Sequence, residues 1–199
     1  MQDPENIVTH SVGLPRLNEP APFFRAKTTQ GDRSLGDYAG HWLVLFSHPA
    51  DFTPVCTSEY IAFAKAYQQF QAQNCDLLGL SIDSNFAHVS WVRNIKENSG
   101  IVIEFPIIED LSMSVASAYG MIQPSASETV AVRATFLIDP QGVLRAMFYY
   151  PMSNGRSVAE ILRLLAAIQT SDQHSVATPE GWQPGNEVIN LPPVNRYGS

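Results

Sequence analysis

Two short, nearly continuous apolar runs with a helical pattern between them constrain this chain more than any other feature. HWLVLFSH at 41–48 and DLLGLSID at 76–83 have no alternation of polar and apolar residues, which is the signature of strands buried on both faces. Between them, TSEYIAFAKAYQQFQAQN places Tyr60, Ile61, Phe63, Ala64, Tyr67 and Phe70 at helical spacing. Strand, helix and strand in that order form a right-handed crossover joining two parallel strands. A parallel pair must be covered on both faces, so the rest of the chain is expected to supply two layers around a sheet.

The remaining pattern agrees with an α/β chain. SNFAHVSWVRNIKENSG predicts a second helix with Ser84 as N-cap, a stripe of Phe86, Val89, Trp91, Val92 and Ile95, and Gly100 past its end. FPIIED is a short strand, and MSVASAYGM a short helix stopped at Gly120. VRATFLID and VLRAMFYY flank Pro140, Gln141 and Gly142, a hairpin signal that makes the sheet mixed. SVAEILRLLAAIQTSDQ predicts the last helix, opened by Ser157 and Glu160 at capping-box spacing. From about residue 175, Pro179, Pro184, Pro192 and Pro193 replace periodicity with an extended tail, whose Trp182, Val188, Ile189 and Leu191 predict that it packs against something. At 199 residues and 45% hydrophobic content, the chain suits one core. We therefore expect a domain over 1–174 and an extension over 175–199 that packs on the domain or on a partner subunit.

Charge and motifs exclude several functions. The net charge is −7 and no run of five like charges occurs, so no surface is built to neutralise phosphates, and neither nucleic acid nor an anionic membrane is an expected partner. No apolar stretch reaches membrane-spanning length, and MQDPENIVTHSVGLP lacks the apolar segment of a secretory signal. The expected location is cytoplasmic. The two cysteines, Cys56 and Cys75, are too few for a disulfide scaffold. His10, His41, His48, His88 and His174 form no HxxxH or HExxH pattern, and neither GxxxxGK[ST] nor GxGxxG occurs. No metal and no cofactor is expected.

The chemistry concentrates in HPADFTPVCTSEY at 48–60. If a helix begins near Pro54, Cys56 lies in its first turn, where free backbone N–H groups and the helix dipole favour an anion. A thiol placed there loses its proton more readily. Thr53 stands at the N-cap with Pro54 after it, so its hydroxyl can cap the helix and also face the sulfur. The pair is a TxxC version of the CxxC redox motif in which oxygen replaces one sulfur, so no local disulfide can form. Pro49, without an N–H, can cover such a site without competing for hydrogen bonds. The residues alone leave two readings open, an inert packed thiol and a reactive one at the C-terminal edge of a parallel strand, where α/β proteins place sites.

Pro49, Thr53 and Cys56 together resemble the PxxxTxxC signature of the peroxiredoxins, and SHPADFTPVCTSE resembles the one-Cys, peroxiredoxin-6-like subgroup. NEPAPFF, LLGLSIDS, VRATFLIDPQG, NGRSVAEILR and SVATPEGWQPGNEVI extend the similarity over most of the chain. The resemblance implies a thioredoxin fold with a central mixed sheet flanked by helices and a C-terminal tail, and a thiol peroxidase. Cys56 would be the peroxidatic nucleophile that becomes sulfenic acid, Thr53 would orient the peroxide, Arg133 would stabilise thiolate and leaving oxygen, and Pro49 would shield the pocket. His48, Glu59 and Arg156 match residues that surround that site. Cys75 matches no resolving cysteine and reads as core. Nothing after Cys75 is a cysteine, so the reductant would be external: glutathione, ascorbate, thioredoxin or another thiol. A homodimer or an assembly of dimers is implied. Mammalian relatives carry a phospholipase serine in a GDSWG-like stretch; AGHWL here has His41 instead, and that activity is not carried over. Two other readings use the same residues, a redox sensor or chaperone switched by Cys56 oxidation, and an inactive binding module with Cys56 buried.

Overall fold

The computed structural model describes residues 13–127 and 129–192; His10 and Pro193 lie outside them. Strands β1 (Arg25–Thr28) and β2 (Gly31–Ser34) are followed by a 3-10 turn at Leu35–Tyr38, then β3 (Trp42–Ser47), α1 (Pro54–Ala72), β4 (Cys75–Ser81), α2 (Asn85–Ser99), β5 (Ile107–Glu109), α3 (Ser114–Ala118), β6 (Arg133–Ile138), β7 (Leu144–Tyr150), α4 (Val158–His174), β8 (Val176–Ala177) and β9 (Ile189–Asn190). Seven strands form one sheet in the order β2-β1-β5-β4-β3-β6-β7, and β8 and β9 form a separate pair. β3 runs parallel to β4, with Trp42 opposite Cys75, and β4 parallel to β5; β6 and β7 add antiparallel. The sheet is mixed and its centre is the crossover read from the sequence.

Both faces of β3 are buried because successive side chains point to opposite sides. Val44 and Phe46 join Leu77, Tyr60, Phe63, Trp91, Ile95 and Leu165 in the layer built by α1, α2 and α4. Leu43 and Leu45 join Leu78, Leu80, Tyr119, Met121 and Phe136 on the other side, closed by α3 and the N-terminal segment. The glycine inside DLLGLSID has a packing cause: a Cβ at Gly79 would collide with the Tyr60 hydroxyl. In the β6–β7 turn, Gly142 takes φ 79° and donates its N–H to the Asp139 carbonyl at 2.8 Å, a left-handed backbone that favours glycine.

Local details depart from the sequence reading in two places, on α2 and at the start of α4. The inward face of α2 is His88, Trp91 and Ile95, while Phe86 and Val89 are exposed. The true face runs i, i+3, i+7 through a buried histidine, which a search for apolar residues alone passes over. Ser157 accepts from the Glu160 N–H at 3.2 Å, but the Glu160 carboxylate turns to Arg163 at 2.6 and 2.8 Å, so only half of the capping box forms. In the tail Trp182 is buried, with its carbonyl accepting from Arg163 Nη1 at 3.1 Å, whereas Val188, Ile189 and Leu191 are exposed. Among the described residues, no helix is long and apolar enough to cross a membrane.

Candidate active site

β3 ends at Ser47 and the chain makes a turn before α1 starts at Pro54. Phe52 takes φ 60° inside that turn, a conformation costly for a bulky side chain and sustained here by the surroundings. Thr53 is extended, as a residue before proline must be, and its carbonyl accepts from the Thr57 N–H at 2.9 Å. Its hydroxyl does not cap α1, contrary to the expectation from its position; it donates to the Ala50 carbonyl at 2.9 Å and closes the turn on itself. Pro49 is buried in the same turn.

Cys56 sits in the first turn of α1 and is fully buried. Its sulfur accepts a hydrogen bond from Arg133 Nη1 at 3.2 Å, and the same nitrogen donates to Glu59 Oε2 at 2.8 Å. Arg133 opens β6, which pairs directly with β3, the first strand of α1's own crossover, and its Nε is tied to the Met152 carbonyl at 2.8 Å. Glu59 lies one helical turn after Cys56. Its Oε1 accepts from the Arg156 backbone N–H at 2.7 Å and Nε at 2.8 Å, and its Oε2 from Arg156 Nη2 at 2.7 Å. Arg156 also donates to the Ala134 carbonyl at 2.8 Å and lies over the Phe46 ring at 5.4 Å. Burial pushes the Glu59 carboxyl up, but the Arg156 hydrogen bonds and the two guanidinium charges outweigh it and hold the group below the ordinary carboxylate range. Two buried guanidiniums against one carboxylate leave one positive charge, and the group it faces is the Cys56 sulfur. That charge is matched by a thiolate and by negative charge developing on an oxygen beside it.

The structure brings Cys56, Arg133, Glu59 and Arg156 into one hydrogen-bonded cluster and sends His48 elsewhere. His48 Nε2 meets Asp51 Oδ1 at 2.8 Å and its Nδ1 meets the Tyr60 hydroxyl at 2.9 Å. Asp51 Oδ2 meets His88 Nδ1 at 2.8 Å, the Asp51 N–H donates to Asp83 Oδ2 at 3.0 Å, and His88 Nε2 faces the Ile108 carbonyl at 3.1 Å. Asp51, Tyr60 and His88 were missed in the sequence reading; the HxxD spacing of His48 and Asp51 and a histidine on the inward face of α2 were the available signals. The two nitrogens and the carboxylate have the chemistry of metal ligands. Around a tetrahedral zinc, though, ligand atoms stand roughly 3.3 Å apart, and contacts of 2.8 Å are hydrogen bonds made directly between these groups. Cys75 lies at the opposite end of the β3–β4 ladder from Cys56, buried, with burial pushing its thiol well above the ordinary value. His41 is exposed and pairs with Asp76 at 3.0 Å.

Residues 17–147 match the AhpC/TSA family, and residues 167–197 match the C-terminal domain of 1-Cys peroxiredoxin. The chain belongs to the peroxiredoxin family. It is 58% identical to a peroxiredoxin of Aquifex aeolicus over 196 residues, covering 94% of this chain and 88% of that one. It is 51% identical to peroxiredoxin 2 of Caldanaerobacter subterraneus, covering 94% and 84%. Among solved structures it is similar to the yeast mitochondrial 1-Cys peroxiredoxin (TM-score 0.82, 40% identity, 88% of this chain and 86% of that one). It is also similar to peroxiredoxin 6 of Arenicola marina (TM-score 0.85, 35% identity, 92% and 86%). The mixed sheet and its flanking helices are thus the thioredoxin fold of a peroxiredoxin, and the activity of this peroxiredoxin is that of a thiol peroxidase.

Proposed function

We propose that this peroxiredoxin reduces hydrogen peroxide and small organic hydroperoxides by a one-Cys mechanism with Cys56 as the peroxidatic nucleophile. The Cys56 thiolate attacks one peroxide oxygen, the O–O bond breaks, the second oxygen takes a proton and leaves as water or alcohol, and Cys56 becomes sulfenic acid. An external thiol then attacks that sulfur and releases water, and a second thiol breaks the mixed disulfide, restoring Cys56. Arg133 stabilises the thiolate and the departing oxygen, Glu59 and Arg156 hold Arg133 in place, and Pro49 and Thr53 shape the pocket that admits peroxide. His48 supports the turn that carries them.

The observation that carries this reading is the 3.2 Å bond from Arg133 Nη1 to the Cys56 sulfur, in a cluster with one positive charge to spare. The one-Cys assignment rests on the position of Cys75, which is buried at the far end of the β3–β4 ladder. The reductant is then a small thiol or a thioredoxin-type protein. The reading includes a cytoplasmic homodimer or assembly of dimers, in which the extension over 175–199 packs on the domain or a partner subunit; exposed Val188, Ile189 and Leu191 support that contact. The test is intact mass after one equivalent of hydrogen peroxide with a sulfenic-acid trap present. A single adduct on Cys56 is expected. Loss of two hydrogens, marking a disulfide through Cys75, would overturn the one-Cys mechanism, and an unreacted protein would overturn the peroxidatic role.

A further inference from the structure

The peroxidase chemistry leaves a buried titratable group on α2 unexplained. His88 is fully buried on α2, and both of its ring nitrogens face oxygen. A backbone carbonyl only accepts, so the nitrogen facing Ile108 carries a proton. The other nitrogen faces Asp51 Oδ2, and a carboxylate also only accepts. We infer that His88 is held as an imidazolium paired with the Asp51 carboxylate, and that this buried ion pair positions the turn bearing Pro49 and Thr53 and the start of α1 bearing Cys56. The inference rests on the proposed peroxidase reading of Cys56 and assigns His88 and Asp51 as positioning residues for it.

Every group that faces the pair fits this assignment. Burial pushes His48 toward its neutral form, so its Nε2–H donates to Asp51 and its Nδ1 accepts from Tyr60, whose phenol burial keeps protonated. Burial alone would raise the Asp51 carboxyl, but the bonds from His48 and His88 outweigh it and hold it below the ordinary range. The remaining charged neighbour, Asp83, receives the Asp51 backbone N–H and the Ser81 hydroxyl rather than contacting either ring. With His88 neutral, Asp51 would be a buried carboxylate without a counter-charge, and one of its two contacts would become lone pair against lone pair.

The pair also sits where it controls geometry. Asp51 is the middle of the turn between Pro49 and Thr53, pinned by its side chain to His48, just past β3, and to His88 on α2, and by its N–H to Asp83 in the loop between β4 and α2. One turn along α2, Trp91 Nε1 donates to Thr57 Oγ1 at 3.2 Å, and Thr57 follows Cys56 directly. Through Tyr60 and His48 the network reaches α1 a second time. α2 therefore grips both the peroxide-facing turn and the helix start that presents the thiol, without touching the sulfur.

The direct test is nitrogen-15 NMR of histidine-labelled, reduced, full-length protein at neutral pH. Two protonated ring nitrogens on His88 and a single protonated Nε2 on His48 are expected; a neutral His88 tautomer would overturn the ion pair in the unmodified protein. The second test compares His88→Gln, Asp51→Asn and the double variant. Each single change should slow oxidation of Cys56 by hydrogen peroxide by about 10- to 100-fold, as misplaced reacting groups do, while reduction of preformed sulfenic acid by an external thiol is unchanged. A role in stability alone would leave the oxidation step at its native rate in the folded fraction, and that result would overturn the positioning claim. In thermal unfolding at neutral pH, the double variant should be more stable than His88→Gln, since that single change strands the Asp51 carboxylate and the second removes it; purely additive losses would overturn the pairing. If the unmodified protein fails to reduce peroxide while His88 is an imidazolium, the proposed function falls and the ion pair stands.

Discussion

Two buried charge clusters flank the start of α1, and they are built to opposite ends. Around Cys56, Arg133 and Arg156 face the single carboxylate of Glu59, so positive charge is left over and points at the sulfur. Around Asp51, carboxylate and imidazolium cancel, and every polar atom of the rings is bonded within the cluster. An unbalanced cluster stabilises charge that appears during a reaction. A balanced one costs less to bury and holds its surroundings still. Both use short hydrogen bonds and complete burial, so burial alone does not separate chemistry from support; the charge left over does.

The comparison breaks most completely at the sulfur itself. Cys56→Ser should abolish peroxide consumption measured with a thiol reductant. Replacing Arg133 by Gln removes the surplus charge and should lower the rate of Cys56 oxidation by about 100- to 1,000-fold, the loss seen when one donor to a developing oxyanion is deleted; stopped-flow oxidation measures it. Glu59→Gln leaves two guanidiniums without a counter-charge and should destabilise the fold by about 3–5 kcal/mol in denaturant unfolding.

Acid sharpens the contrast: each cluster holds a depressed carboxyl, Glu59 in one and Asp51 in the other, and the second adds the depressed His48 in a higher window. A depressed group contributes stability that is present above its unfolded pKa and lost as pH falls through its folded pKa. For His48, held neutral by burial, the loss begins below about pH 6.5. For Glu59, held anionic by Arg156, it begins below about pH 4.3. Unfolding midpoints measured from pH 7 to pH 3 should therefore decline in two limbs, with His48→Gln flattening the upper one and Glu59→Gln part of the lower, which Asp51 shares. The smallest expected effect is at Cys75: Cys75→Ser should leave the peroxidase rate within about twofold, a neutral result for a buried thiol far from the oxidised one.

Legibility followed sequence distance. The crossover, its helix and the hairpin are local patterns and lie where the period placed them, whereas β1 and β2 carry no such pattern and were not read from it. Pro49, Thr53 and Cys56 lie within eight residues of one another, so their joint position at a helix start could be read directly. Arg133 and Arg156 were singled out only by resemblance. Their burial depends on β6 pairing with β3 and on the segment before α4 folding back over Glu59. The inward face of α2 was misread for the same reason, since a histidine counts as polar until a carboxylate 37 residues away meets it.

By itself the sequence determined an α/β chain with a parallel strand pair, a single thiol at the mouth of the first helix, and no second cysteine after Cys75. Periodicity and backbone preference are short-range, and they act before any distant contact exists. Only the tertiary structure decided which charges are buried together, that Thr53 closes its own turn rather than capping α1, and that His48 serves Asp51 rather than the sulfur. Those outcomes depend on Coulomb energy and hydrogen bonding in a dry interior, where a partner's position within an ångström settles whether a charge is tolerated.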